Sequence, residues 1–329
     1  MRGELASGPA AAVSSAGGPA VAQVLRREQA LMGTRFEIQV VSVDERVAAG
    51  AVEAALLEIG RVEALISEWQ STSEISEVNR QAGLKAVAVG PELYAVVEQA
   101  VALSALTRGA FDITFASCGH LWSVGKRRIP SMEEVGECRA HIDYRRIELN
   151  EARTIFLRAK QTRIGVGGIG KGYGVDRAAS VLEAHGITDY VVDGGGDIRL
   201  KGQRIDRPWS VGVAHPRQQG ALLGRLHLSA GAVVTSGDYE RYFELDGERY
   251  HHIIDPTTGQ VARASVAVTV IAPDAMLADG LATGLFVLGP AEALKLVERL
   301  AGVEALVIGP DMRVHTSSGF GQFFEPNRD

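Results

Sequence analysis

Asp279 and Thr283 stand four residues apart in a stretch whose apolar spacing predicts a helix over 275–287, so both project from one face. A carboxylate and a hydroxyl together are hard oxygen donors of the kind magnesium takes. The same spacing also serves a solvated aspartate beside a threonine that packs the helix. A second candidate is the pair His251-His252. An imidazole titrates near neutrality and can take the proton of an attacking hydroxyl, although a lone histidine is commonly structural. Neighbouring residues of a strand face opposite ways, so only one of the two should reach a site. The third is the run Gly165-Val166-Gly167-Gly168-Ile169-Gly170-Lys171-Gly172. Gly165, Gly167 and Gly170 satisfy GxGxxG, and Gly165, Gly170 and Lys171 satisfy most of GxxxxGK[ST]. Context argues against both. Gly172 stands where a phosphate loop needs Ser or Thr, and a dinucleotide fold opens with this turn, whereas here much of the chain precedes it. A tight turn without a ligand is the plain alternative. Otherwise, backbone N–H groups at a helix N-terminus suit a phosphate or pyrophosphate.

These residues need elements to hold them. The glycine run precedes a predicted helix over 175–185, then a strand over 190–192 that enters Gly194-Gly195-Gly196-Asp197, and a strand over 198–201. Earlier, 35–41 alternates as a half-buried strand does. Helical spacing marks 46–69 and 91–107, the latter with Pro91 in its first turn. A short helix is expected near 133–139, and strands near Ile147 and over 154–157. Later strands are expected over 209–213, 223–228, 232–235, 242–245, 266–271, 305–308 and 313–316, with helices over 275–287 and 291–300.

Composition bounds the function. The 329 residues carry a formal net charge of −6, and no Lys/Arg block exceeds three residues, which argues against nucleic-acid binding. The 38 glycines are concentrated in runs, as close approach of backbone to a ligand requires. Cys118 and Cys138 are too few for a disulfide scaffold or a cysteine-rich metal site. No apolar run approaches the roughly 20 residues of a membrane helix, so no transmembrane segment is expected. Residues 1–23, rich in Ala, Gly, Ser and Pro, read as a disordered tail rather than a signal peptide. That reading suits the cytoplasm, or a periplasmic or membrane-associated place if the N-terminus was processed.

Taken in order, the segments resemble the ApbE family, the FAD:protein FMN transferases. Gly167-Gly168-Ile169-Gly170-Lys171-Gly172-Tyr173-Gly174-Val175-Asp176 is similar to that family's GGIAKGYAVD. Met32-Gly33-Thr34 resembles its MGT, and Ser67-Glu68-Trp69 with Ser73 to Asn79 its STW…SELSxLN. Phe111-Asp112-Ile113-Thr114, then Leu121-Trp122, resemble FDxT and LW. Gly195-Gly196-Asp197-Ile198, Pro208-Trp209 with Pro216, Thr235-Ser236-Gly237-Asp238-Tyr239, His252-Ile253-Ile254-Asp255-Pro256 and Asp279-Gly280-Leu281-Ala282-Thr283 follow in the family's order. Nearly all of 31–289 is covered.

The resemblance implies an α+β fold: a single ApbE-like (T-fold-related) domain over 24–329, with mixed or antiparallel sheets flanked by helices. It implies FAD as substrate, magnesium, and transfer of FMN to a Ser or Thr hydroxyl of an acceptor protein with release of AMP. Metal ligands would be Asp279, Thr283 and the carbonyl of Gly170; catalytic residues would be His252 and Asp279. Flavin and adenosine contacts would come from Met32, Ser67, Glu68, Trp69, Asp112, Gly168, Lys171, Thr235, Ser236, Gly237 and His252. For Trp69 the plain alternative is core packing, and for Asp112 a turn or cap. The chain departs from the family at Gly165, where the family has an acid, at Ala116-Ser117-Cys118 and His120, and at Asp193, where it has Asn. Two alternatives follow: hydrolysis of FAD to FMN and AMP, and a flavin-binding protein that carries FAD or uses it for redox work.

Overall fold

Period-two alternation of apolar side chains builds the largest element, an eight-stranded sheet. In the computed structural model, which describes residues 21–327, its spatial order is Gln23–Leu31, Thr34–Ser42, Tyr190–Gly194, Asp197–Lys201, Ala230–Gly237, Ala267–Ala272, Glu304–Ile308 and Val314–Thr316. Every neighbouring pair is antiparallel. The central strands are apolar on both faces because each face has its own cover. Ala232, Val234, Val268, Val270, Ala305 and Val307 enter the main core with the helices. Val233, Ala267, Ile271, Leu306 and Ile308 enter a second core, closed by Trp209, Val211, Val213, Leu226 and Leu228 of a four-stranded sheet. The α+β class expected from the sequence is the one observed. The tail expected over 1–23 lies mainly outside the described residues.

The helices are α1 (Glu45–Ile66), α2 (Glu74–Arg80), α3 (Pro91–Leu106), α4 (Ala116–Gly119), α5 (Met132–Arg139), α6 (Gly170–Ala184) and α7 (Ala275–Val297). Asp44 caps α1 by accepting from the backbone nitrogens of Arg46 and Val47 at 2.9 and 3.1 Å. One stripe of α1 is buried: Val52, Ala55, Ile59, Val62 and Ile66. Ser131 and Glu134 form a capping box on α5.

Two expectations are corrected, the start of α6 and the edge strand before Thr34. Helix α6 starts at Gly170, inside the glycine run, because packing against α7 outweighs the weak helix propensity of glycine. A Cβ on Gly172 would sit 2.3 Å from the carbonyl oxygen of Ala275. The two helices expected over 275–287 and 291–300 are both present within the span of α7, separated by a non-helical break where Gly289 takes φ 75° and ψ 169° before Pro290. By length and composition alone α7 is long and apolar enough to cross a membrane. Its Ala278, Leu281, Ala282, Leu285 and Phe286 are buried in the main core, so its apolarity belongs to packing. Strand Gln23–Leu31 was not anticipated. It is an edge strand with Arg26, Arg27 and Glu28 on it, which blurs its alternation. Its register with Thr34–Ser42 is set by a tight turn in which Met32 and Gly33 take φ 50° and 70°.

Cys118 and Cys138 form a disulfide that ties α4 to α5, their Cα atoms 5.1 Å apart. The chain gives no local signal for that pairing, because the two residues meet only once α5 folds back on α4.

Candidate active site

Helices α6 and α7 cap each other's N-termini. No side chain caps α6 at Ile169; instead Asp279, from α7, accepts from the backbone nitrogen of Gly172 at 3.1 Å. In return Asp176, from α6, accepts from the backbone nitrogens of Ala275 and Met276 at 2.9 and 2.8 Å. Each carboxylate thus meets the positive end of the other helix. One N–H of the glycine run that was expected to face a phosphate is therefore taken by Asp279.

Asp279 is buried, 4% exposed. Burial holds its carboxyl well above the usual range, and the neighbouring charge of Asp197 adds to this. Lys171 Nζ donates to Asp197 Oδ1 at 2.5 Å. Burial works against the charge of Lys171, but Asp197 and then Asp279 outweigh it, and its pKa is raised. Asp197 Oδ2 is buried with no hydrogen-bond partner.

These groups open on a cleft of about 470 Å³, within the range of small-ligand sites. Its lining holds five carboxylates, Glu68, Asp112, Asp197, Glu240 and Asp279, against two cations, Lys171 and Arg241. Burial raises the carboxyls of Glu68, Asp112 and Glu240 as well. A site so rich in acid disfavours an anionic ligand unless a further cation joins it. Asp279 and Thr283 supply hard oxygens to the same lining. Among the described residues no group of three or more His, Cys, Asp or Glu gathers as a metal cage. A carboxylate and a hydroxyl at one lining are donors of the kind magnesium takes, its shell completed by phosphate oxygens and water.

The two histidines part. His251 is buried, and its Nε2 meets the Ala262 carbonyl oxygen at 2.8 Å while its Nδ1 accepts from the backbone nitrogen of Ile253 at 3.3 Å. Together these bonds fix the neutral tautomer with the proton on Nε2. The ring meets Phe286 edge-on at 5.5 Å. His252 faces the cleft. Its ring is open to solvent there; partial desolvation by the surrounding walls, with the neighbouring His251, draws its pKa down to about 4, so the imidazole is neutral.

Of the residues singled out in the sequence, Glu68, Trp69, Asp112, Gly168, Lys171, Thr235, Ser236, Gly237, His252, Asp279 and Thr283 line the cleft. Met32, Ser67 and Gly170 do not. Met32 packs against Gly174, with its neighbours Gly33 and Thr34 in the lining. Ser67 ends α1, its carbonyl accepting from Ser73 Oγ at 2.7 Å. Gly170 opens α6 and is buried against Ile66 and Val166. Asp112 caps a short 3-10 turn: one oxygen accepts from Thr114 N and Oγ1 at 2.8 and 2.6 Å, the other from Tyr144 N at 2.8 Å. Thr235 shares a 2.9 Å hydroxyl bond with Thr269 on the next strand. Trp69 is 86% exposed, so plain core packing does not describe it.

Sequence reasoning missed Glu240 and Arg241, and it missed that Asp197 pairs with Lys171. Glu240 and Arg241 directly follow the Thr235 to Tyr239 segment, the one signal that could have drawn attention to them. The space left at Gly165 is also accounted for. A Cβ there would lie 2.3 Å from Glu68 Oε2, so the Glu68 carboxylate fills the place that a side chain at 165 would take.

Comparison with known proteins gives one answer. The family model described as "ApbE family" matches residues 32–307. The FAD:protein FMN transferase of Treponema pallidum is 34% identical over 93% of this chain and 90% of its own length. That of Vibrio cholerae is 34% identical over 89% of this chain and 88% of its own. Among solved structures, the ApbE protein of Thermotoga maritima superposes with a TM-score of 0.85 at 32% identity, covering 92% of this chain and all of that one. The flavin transferase ApbE of Vibrio cholerae gives 0.82 at 31% identity, covering 92% and 100%.

Proposed function

The chain belongs to the ApbE family, and from that premise we propose that it transfers FMN from FAD to a Ser or Thr hydroxyl of an acceptor protein, releasing AMP, with magnesium bound. The observation that carries this reading is the cleft in which a neutral His252, the Lys171–Asp197 pair and the Asp279–Thr283 oxygens share one lining.

Asp279 and Thr283 would hold magnesium, which supplies neutralisation of the pyrophosphate charge and polarisation of its phosphorus. The acidity of the lining supports that need. His252, neutral above about pH 4, accepts the acceptor hydroxyl's proton as its oxygen bonds to the FMN phosphorus and the bond to the AMP phosphate breaks. Lys171 stays charged through Asp197 and faces the leaving phosphate oxygens as a second positive centre. Trp69, with its indole bare, offers a stacking surface to the flavin. Asp112, Gly168 and the Thr235–Gly237 segment border the rest of the dinucleotide, with Met32 and Ser67 behind them.

The test is to incubate the protein with FAD, magnesium and an Asp/Ser/Thr-rich peptide, and to weigh the peptide by mass spectrometry. A peptide heavier by FMN, with AMP released and both lost in Asp279→Ala, is the expected result. AMP and free FMN without a labelled peptide would make the protein an FAD pyrophosphatase. FAD bound but intact throughout would make it a flavin carrier or redox protein.

A further inference from the structure

Asp197 stands in the lining of the cleft and is 1% exposed. Its Oδ1 accepts from Lys171 Nζ at 2.5 Å, while its Oδ2 is buried and meets no hydrogen-bond donor among the described residues. We propose that this second oxygen is a further protein ligand for magnesium, beside Asp279 and Thr283, so that Asp197 joins the metal to Lys171 through its two oxygens. The proposal deepens the magnesium-dependent reading of this site and rests on it.

The local charges call for a cation. Asp197 is the charge that bears most strongly on Asp279, and Lys171 is the next; the Lys171 ammonium is held by Asp197 first and by Asp279 second. Two carboxylates thus share one ammonium, and one negative charge is left over. Glu240 and Arg241, in the same lining, are opposite in sign and leave that excess in place. The unpaired atom points the same way. A carboxylate kept only to hold Lys171 would use one oxygen for it and leave the other in water or on a backbone N–H, because a buried ionised oxygen without a partner is costly. A bound cation removes that cost.

The backbone also fixes Asp197 for such a role. It opens the strand Asp197–Lys201 directly after Gly195 and Gly196, which take φ 68° and 97°. Asp193 Oδ1 closes this turn by accepting from the backbone nitrogen of Gly196 at 2.8 Å, and Asp197 is paired with Val234 on the neighbouring strand. The sheet therefore supplies one carboxylate and α7 supplies the other, with Thr283 one turn further on. Two carboxylates and a hydroxyl, with phosphate oxygens and water to complete the shell, are a donor set of the kind magnesium takes.

The test uses Mn2+ as the probe on the full chain. Free Mn2+ is measured by electron paramagnetic resonance, and bound Mn2+ is located by anomalous scattering in soaked crystals. Asp197→Asn keeps the shape and an acceptor for Lys171 but removes the anionic oxygen; Lys171→Gln removes the partner of Oδ1. Expected in wild type is a Mn2+ peak at bonding distance, about 2.1 Å, from Asp197 as well as from Asp279 and Thr283. Asp197→Asn should raise the Mn2+ Kd at least about tenfold, and Lys171→Gln should not raise it. Mn2+ bonded to Asp279 and Thr283 but out of reach of Asp197 overturns the proposal and leaves the magnesium reading standing. An equal Kd in wild type and Asp197→Asn also overturns it, as does a loss of affinity of the same size in both variants, which would make Asp197 a partner of Lys171 only. A wild type that binds no Mn2+ at these residues ends the proposal and the magnesium reading together. Mn2+ seated on all three residues in a protein that never labels a peptide would support the proposal and end the transferase reading alone.

Discussion

At the scale of single residues, the site separates groups that share a chemistry by giving them different surroundings. His251 and His252 are adjacent, yet one is bonded into the core and the other faces the cleft. The pKa of His252 is pulled down to about 4, so the basic form is present at all ordinary pH. The acid limb of kcat/KM should therefore fall near pH 4 rather than 6.5, and His252→Ala should cost about 10²- to 10⁴-fold in kcat. A pH–rate profile checks both; a limb near 6.5 would show a fully solvated imidazole. The residue types Asp, Thr and His were legible because their chemistry is intrinsic. The carboxylate of Glu68 in the place of a side chain at Gly165 was not, because those residues are distant in the chain and meet only in space.

At the scale of elements, the α6–α7 pair positions the chemistry. Gly172 is required by close approach: a Cβ would meet the backbone oxygen of Ala275 at 2.3 Å and Asp279 Cβ at 2.9 Å. This is also why the Ser or Thr of a phosphate loop has no room there. Gly172→Ala should lower stability by about 1–3 kcal/mol and reduce FMN transfer, since it wedges α6 from the helix that carries Asp279. Gly167→Ala, with nothing within 4 Å of its Cβ, should leave stability nearly unchanged. Chemical denaturation of the two variants decides it. Most strands and helices could be read from period and caps. The start of α6 could not, because glycine propensity argues against helix there and only the contact with α7 reverses it.

At the scale of the whole molecule, two features bear on stability. The disulfide closes a 20-residue separation, for which loop entropy gives about 3 kcal/mol. Cys118→Ser with Cys138→Ser should lower the denaturation free energy by that order, and thiol titration of the unreduced protein should find no free cysteine. His251 is buried and its pKa lowered to about 4, chiefly by that burial. Between pH 4 and 6.5 the unfolded chain therefore binds a proton that the folded chain refuses. Its contribution is whole above about 6.5 and is lost as pH falls towards 4, by up to about 3 kcal/mol. His251→Phe should flatten that slope in denaturation curves between pH 7 and 4.5.

The sequence by itself determined the α+β class, most of the element order, the family, and the identity of the groups able to do chemistry, because these follow from local periodicity and from residue type. Tertiary structure decided the rest. It turned the glycine run into a helix start, split the two histidines and paired Lys171 with Asp197. It also left Asp279 buried at a helix N-terminus with a raised pKa. Each of these depends on groups far apart in the chain that meet only when helices and sheets pack, and no local pattern encodes such a meeting.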